Sequence, residues 1–160
     1  MNSSYGCYSL AEGYYEGKGV RQDYATAAEY YSKACDLSYT RACAFLGFLY
    51  VEGDTLQQNY PLAKEYLGKG CLLEDGISCN LLGALYAEGV EGVTQNYQKA
   101  HTLFKKACEL SISFGCVSLG RFYFDGKGVR QNTAIAKEYF GKACDLGNQD
   151  GCDAYAVLNR

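Results

Sequence analysis

Cys35-Asp36-Leu37-Ser38-Tyr39-Thr40-Arg41-Ala42-Cys43 is one of four Cys-x7-Cys segments in the chain. The other three begin at Cys71, Cys108 and Cys144 and end at Cys79, Cys116 and Cys152. The pairs recur every 36 or 37 residues. A fixed period of this length marks a stacked repeat protein, in which each copy buries its apolar face only against its neighbours.

Working outward from the cysteines, four copies lie over one another. Each opens at the second cysteine, as in Cys7-Tyr-Ser-Leu-Ala-Glu-Gly-Tyr-Tyr-Glu-Gly17, and the matching stretches start at Cys43, Cys79 and Cys116. A turn follows, then Asp23, Asn59, Asn96 or Asn132, and a second half that closes on Cys35, Cys71, Cys108 or Cys144. The third copy has one extra turn residue, which accounts for the single spacing of 37. Leu10/Tyr14, Leu46/Tyr50, Leu82/Tyr86 and Leu119/Tyr123 stand four apart, on one helical face. A small residue follows each leucine (Ala11, Gly47, Gly83, Gly120), which predicts close helix approach, since an interior glycine costs roughly 1 kcal/mol against alanine.

Gly17, Gly53, Gly89 and Gly126 suit the stop of the first helix, and the recurrent Asp or Asn suits the N-cap of the second. Pro61 falls in a first helical turn, where its missing N–H costs little. Ala27, Ala63, Ala100 and Ala136 recur in the second helix, each three residues before Tyr30, Tyr66, Leu103 or Tyr139. The pattern predicts an all-α fold, an α/α superhelical solenoid of antiparallel helix pairs stapled by disulfides. One repeat domain spans residues 1–160, with copies over about 5–38, 39–74, 75–111 and 112–147 and a terminal half-repeat over 148–160.

Composition excludes several function classes. Of the 160 residues, 48% are hydrophobic and 21% charged, a globular balance. The net charge is -3 with no basic block, which disfavours nucleic-acid binding. No apolar run approaches the ~18 residues of a membrane span, so no membrane insertion is expected. Sixteen tyrosines and no tryptophan fit a helical array, because Tyr fills the gap between helices and places its hydroxyl at the edge.

The first cysteine of each pair ends one helix and the second opens the next. Such a turn brings two Cα atoms to disulfide distance. The spacing therefore predicts Cys35/Cys43, Cys71/Cys79, Cys108/Cys116 and Cys144/Cys152 as structural disulfides, in an oxidising compartment, periplasmic or secreted. Zinc coordination, a redox pair and buried reduced thiols of a cytosolic protein are the competing readings. Zinc wants four ligands and a thioredoxin-like site wants Cys-x-x-Cys, and the repeats offer neither. Cys7 aligns with the second cysteine of a pair, and its partner would precede residue 1. It is expected to be a free thiol in a monomer, or to bridge two chains in a Cys7-linked dimer. Met1-Asn2-Ser3-Ser4 has no charged n-region or apolar stretch, so an export signal is expected to lie outside this sequence.

Two patterns carry a resemblance: Leu-Gly-x-x-Tyr-x-Asp-Gly-x-Gly-Val from Leu119 to Val129, and Ala-x-x-Tyr-x-x-Lys-Ala-Cys from Ala27 to Cys35. The chain resembles the Sel-one-like repeat, a relative of the tetratricopeptide repeat. With Cys-x7-Cys in every copy it resembles the Helicobacter cysteine-rich protein family, exported bacterial proteins with one disulfide per repeat. The resemblance implies a right-handed superhelix with a concave groove. It implies either β-lactam binding with slow β-lactamase activity or the role of adaptor, regulator or immunity partner. Cysteine-bearing Sel-one-like proteins of the mitochondrial intermembrane space supply a third model, an assembly or redox factor.

No catalytic constellation is legible. No serine has lysine three residues later, and Ser-Asp-Asn, Lys-Thr-Gly and His-Glu-x-x-His are absent. The lone His101 aligns with Ala28, Lys64 and Lys137 and reads as a surface residue. Gly17-Lys18-Gly19 and Gly126-Lys127-Gly128 read as turns, not phosphate loops. The recurrent acids Glu16, Glu52, Glu88 and Asp125 read as structural hydrogen-bonding groups. No metal site and no cofactor are expected.

The positions that vary between copies lie one, five and eight residues after the second cysteine, on a common helical face. They hold Tyr8, Glu12, Tyr15; Ala44, Phe48, Val51; Asn80, Ala84, Ala87; and Val117, Arg121, Phe124. In such solenoids the first helices line the surface that binds partners. Tyr8, Glu12, Tyr15, Phe48, Val51, Asn80, Arg121 and Phe124 are therefore the candidate contacts for a protein or peptide partner. Ordinary core or plain surface remains the alternative for this stripe. The function expected is an exported, non-enzymatic binding scaffold.

Overall fold

A computed structural model describes residues 3–160. Among the described residues regular structure is helical: α1 (Ser4–Glu16), α2 (Tyr24–Asp36), α3 (Thr40–Glu52), α4 (Tyr60–Leu72), α5 (Gly76–Glu88), α6 (Tyr97–Glu109), α7 (Ser113–Asp125), α8 (Thr133–Asp145) and α9 (Gln149–Leu158). A lone antiparallel bridge, Val90 to Val93, pins the longer turn of the third copy.

The same local chemistry starts and stops these helices in every copy. The side chains of Asp23, Asn59, Asn96 and Asn132 accept from the N–H groups of Thr26, Leu62, Lys99 and Ile135 at 3.1, 3.0, 2.9 and 3.1 Å. Each satisfies one of the donors a helix leaves orphaned, worth roughly 1 kcal/mol. The first helices end at Gly17, Gly53, Gly89 and Gly126, all at φ between 68 and 78°, a left-handed region that glycine enters without penalty.

One device was not read from the sequence. Gln22, Gln58, Gln95 and Gln131 each donate from Nε2 to a carbonyl in the last turn of the preceding first helix, those of Tyr15, Val51, Ala87 and Phe124, at 2.9, 2.8, 3.0 and 2.7 Å. The recurrent acids do not share such a bond. Glu16 pairs with Lys18 at 2.6 Å and Asp125 with Lys127 at 3.4 Å, both exposed. Ion pairs of this kind contribute little. The hydrogen bond that repeats belongs to glutamine, whose amide N–H can donate to a helix-end carbonyl where a carboxylate could only accept.

The disulfides are formed. Cys35–Cys43, Cys108–Cys116 and Cys144–Cys152 hold Cα atoms 4.8, 4.7 and 4.4 Å apart, and Cys71 and Cys79 are also disulfide-bonded. A loop this short gives about 2–3 kcal/mol per bridge by the chain-entropy argument. The same turn in each copy holds a residue at positive φ: Ser38, Glu74, Ser111 and Gly147.

The chain divides into two compact units, residues 1–78 and 79–160. In the first, α1 packs on α2, α2 on α3 and α3 on α4. Its core gathers Ala11, Ala27, Tyr31, Ala34, Ala42, Cys43 and Leu46. In the second, α6 packs on α7, α7 on α8 and α8 on α9. Its core holds Ala100, Phe104, Leu119 and Phe122 in one cluster and Cys116, Val117, Ala136, Phe140 and Ala143 in another. The small residues predicted to allow close approach do so. A Cβ on Gly83 would lie 2.8 Å from the Phe104 ring, and one on Gly120 would lie 2.6 Å from Phe140. Burying Leu46, Leu67 and Leu119 completely contributes roughly 1.5–3 kcal/mol each.

His101 departs from its expected exposure. It is half-buried, its Nε2 lies 3.2 Å from the Tyr123 hydroxyl, and the two rings meet edge to face. The alignment with Ala28, Lys64 and Lys137 misled because that column is not a surface one: Ala28 is buried and both lysines are half-buried, their long stems lying along the protein with the charge outward.

Candidate functional site

The variable stripe is divided between the two units, and its members sit in different environments. On α1, Tyr8 is 6% exposed and packs against Tyr31 and Tyr39 at ring distances of 5.6 and 4.7 Å. Burial, then a hydrogen bond with Glu12, pushes its hydroxyl up to about 12. Tyr8 is thus largely core, with little surface to offer. Glu12 and Tyr15 are half-buried beside it. On α3, Phe48 is exposed and Val51 half-buried.

In the second unit Asn80 is half-buried, and its Oδ1 is buried without a partner. Arg121 and Phe124 on α7 are exposed. Cys7 is unpaired and buried, in the first core cluster.

Tyr15 fills the space between α1 and α3. Its ring lies 5.4 Å from that of Tyr24, 6.5 Å from Tyr31 and 5.3 Å from Phe45. The second unit has an opening in the corresponding place. Ala84 and Ala87 of α5, Tyr97 and Phe104 of α6, and Ser118, Arg121 and Phe122 of α7 line a cleft of ≈ 310 Å³. That volume is at the low end for ligand sites.

Short side chains on α5 create the opening, and aromatic ones from α6 and α7 keep its walls firm. Phe104 and Phe122 meet edge to face at 5.4 Å, and Tyr97 meets Phe122 at 5.8 Å. The rim is polar: Glu88, Asp125 and Lys127 also line it, and Lys127 is held by Asp125. Among the described residues nothing pairs with the Arg121 guanidinium, which stays available to an incoming group.

Of the eight candidate partner contacts read from the sequence, Arg121 alone lines this cleft, together with Ala84 and Ala87 of the same variable stripe. Tyr97, Phe104, Ser118 and Phe122 were not singled out. The signal for them was the change from Tyr15 to Ala87 in one repeat column, which empties space only where other helices supply walls. Among the described residues no three His, Cys, Asp or Glu side chains converge as a metal site would require.

Capped helix pairs, one cysteine pair per period and glycine-mediated approach define a disulfide-stapled helical repeat protein. The chain belongs to the Sel1 repeat family: the Sel1 repeat matches residues 4–39, 40–75, 76–111 and 113–148. Over 42 residues it is 55% identical to Beta-lactamase HcpA of Helicobacter pylori, which is 26% of this chain and 17% of that protein. The Helicobacter pylori cysteine rich protein B superposes with a TM-score of 0.66 at 36% identity, covering 86% of this chain and 98% of that one. A protein of uropathogenic Escherichia coli strains, described as a protective antigen displaying an SLR fold, superposes with a TM-score of 0.91 at 30% identity. The match covers 98% of this chain and 33% of that one. This chain thus spans less than two thirds of the length of HcpA and of the Escherichia coli protein.

Proposed function

We propose that this chain is an exported, monomeric scaffold that grips a segment of a protein partner through the faces of its first helices. One observation carries the reading: an unpaired arginine stands beside an open, aromatic-walled cleft on those faces. The disulfides support an oxidising compartment, periplasmic or extracellular. Phe48, Val51, Asn80 and Phe124 provide further contact surface, with Glu12 and Tyr15 beside the largely buried Tyr8. Sel1 repeats serve generally in protein interaction, and arginine and aromatic residues dominate binding hot spots.

The test is selection of binders from a displayed peptide library by the oxidised protein. Replacing Phe48 and Arg121 together by alanine should weaken a selected peptide at least about tenfold, roughly 1.4 kcal/mol. Unchanged affinity would overturn the site assignment.

A second reading, slow hydrolysis of a β-lactam, is favoured only by the 42-residue match to HcpA. Turnover of a chromogenic cephalosporin by the pure protein would support it, and background rates would remove it.

A further inference from the structure

We infer that the cleft of the second unit is a receptor for one aromatic side chain of an extended partner segment, a site that in the first unit is already occupied by the chain's own Tyr15. This rests on the binding-scaffold reading and names the residue type that the site takes.

The two units carry the same slot. In the first, the Tyr15 ring enters between α1 and α3 and meets Tyr24 and Tyr31 from α2 and Phe45 from α3. Counting back from Cys35 and Cys108, past the extra turn residue of the third copy, Tyr24 and Tyr31 correspond to Tyr97 and Phe104; counting on from Cys43 and Cys116, Phe45 corresponds to Ser118. Those three residues line the open cleft of the second unit, together with Ala87 at the position of Tyr15. Two aromatic walls are therefore kept and the ring at the Tyr15 position is deleted, while Phe122, where the first unit has Leu49, adds a third aromatic wall packed against both. Ala84 stands where the first copy has Glu12 and widens the opening further.

The occupant follows from the walls. Aromatic rings packed edge to face or at a tilt gain electrostatic attraction beyond the area they bury, which an aliphatic side chain forgoes. Tyr97, Phe104 and Phe122 offer such edges and faces to a phenol or phenyl ring. Exchanging Phe45 for Ser118 puts a hydroxyl at the mouth. The Arg121 guanidinium lies at the same mouth, with no partner among the described residues, and a planar guanidinium stacks on aromatic faces.

The experiment is a titration of the ¹⁵N-labelled, oxidised protein with acetyl-Gly-Ala-Tyr-Ala-Gly-amide, its Phe counterpart and its Leu counterpart. Peptide is taken to about 5 mM, which reaches dissociation constants in the millimolar range. The aromatic peptides should shift the amide signals of Ala84, Ala87, Ser118 and Arg121 saturably, at least threefold more tightly than the Leu peptide. Ala87→Tyr, which restores the ring of the first unit, should abolish these shifts, and the exposed Arg121→Ala should weaken them severalfold while the spectrum stays native. Equal binding of the Leu peptide, persistence of the shifts in Ala87→Tyr, or no shifts at all would overturn the inference. Library-selected peptides that bind Ala87→Tyr as tightly as the parent would overturn the cleft but leave the scaffold reading standing. A library that yields no binder would remove the scaffold reading, while the tyrosyl titration still decides what the cleft accepts.

Discussion

The Ser78 hydroxyl occupies the space that a Cβ at Gly70 would fill. The corresponding pairs in the other copies are Ala34 with Ala42, Ala107 with Gly115 and Ala143 with Gly151. Here a glycine on one helix balances a serine on the next. The Oγ of Ser78 is buried and has no hydrogen-bond partner, so this copy leaves a polar group unsatisfied where the others pack methyl groups or hydrogen. Gly70→Ala alone should destabilise by about 1–3 kcal/mol through overpacking. Gly70→Ala with Ser78→Ala recreates the Ala34/Ala42 arrangement and should recover that loss. Denaturant melts of the four members of the cycle should give a coupling of at least about 1 kcal/mol; additive effects would refute steric exchange.

The glutamine that follows each turn makes a comparable demand. Gln131 Nε2 donates to the Phe124 carbonyl at 2.7 Å, one member of a bond present in all four copies. Gln131→Ala removes the donor at an exposed helix end and should cost about 0.5–1.5 kcal/mol. Gln131→Glu keeps the shape and replaces the donor by an acceptor facing a carbonyl, so it should cost more than alanine. Urea melts at neutral pH rank the two, and the opposite order would show that packing rather than the hydrogen bond matters.

What was legible in the sequence was what one copy decides for itself. Asp23 and its counterparts cap helices because the acceptor and the orphan N–H lie three residues apart. Gly17 stops a helix because of its own φ, and each cysteine of a pair needs only the turn between them. The partner stripe was less legible. Its periodicity put Tyr8 and Arg121 in one class, yet Tyr31 and Tyr39 bury the first while the second stays open. The cleft needed three helices to be seen, since Ala87 alone is only a small residue. The division of the chain at Ser78 has no sequence signature, for the repeat continues through it without a linker.

His101 gives the fold a pH dependence near neutrality. Burial, and secondarily the charge of Lys105, lowers its pKa below the ordinary 6.5. The neutral ring faces the Tyr123 hydroxyl, which in turn belongs to a stack with Tyr139. With the folded value depressed, the unfolded chain binds the extra proton first. The contribution of His101 is thus complete above about pH 6.5 and is lost as the pH falls from there through the folded value. His101→Gln keeps a neutral hydrogen-bonding side chain without the titration. Melting temperatures between pH 7.5 and 5 should show the parent losing stability relative to His101→Gln as the pH drops. Parallel curves would mean that the ring is as free to protonate as an exposed one.

Cys7 supplies the most direct reading of the covalent state. Eight of the nine cysteines are in disulfides, and the ninth, on the first turn of α1, faces the core at 7% exposure. Iodoacetamide without reductant should therefore add one carbamidomethyl group in guanidinium and very little in native buffer, since the thiol must first be exposed by local opening. The rate of native labelling should rise with low denaturant as the first turns of α1 fray. A Cys7-linked dimer needs the same exposure, so it should form in step with labelling and not from the closed state. Rapid labelling in native buffer would place the thiol at the surface, and nine reactive groups would overturn the disulfides and with them the oxidising compartment.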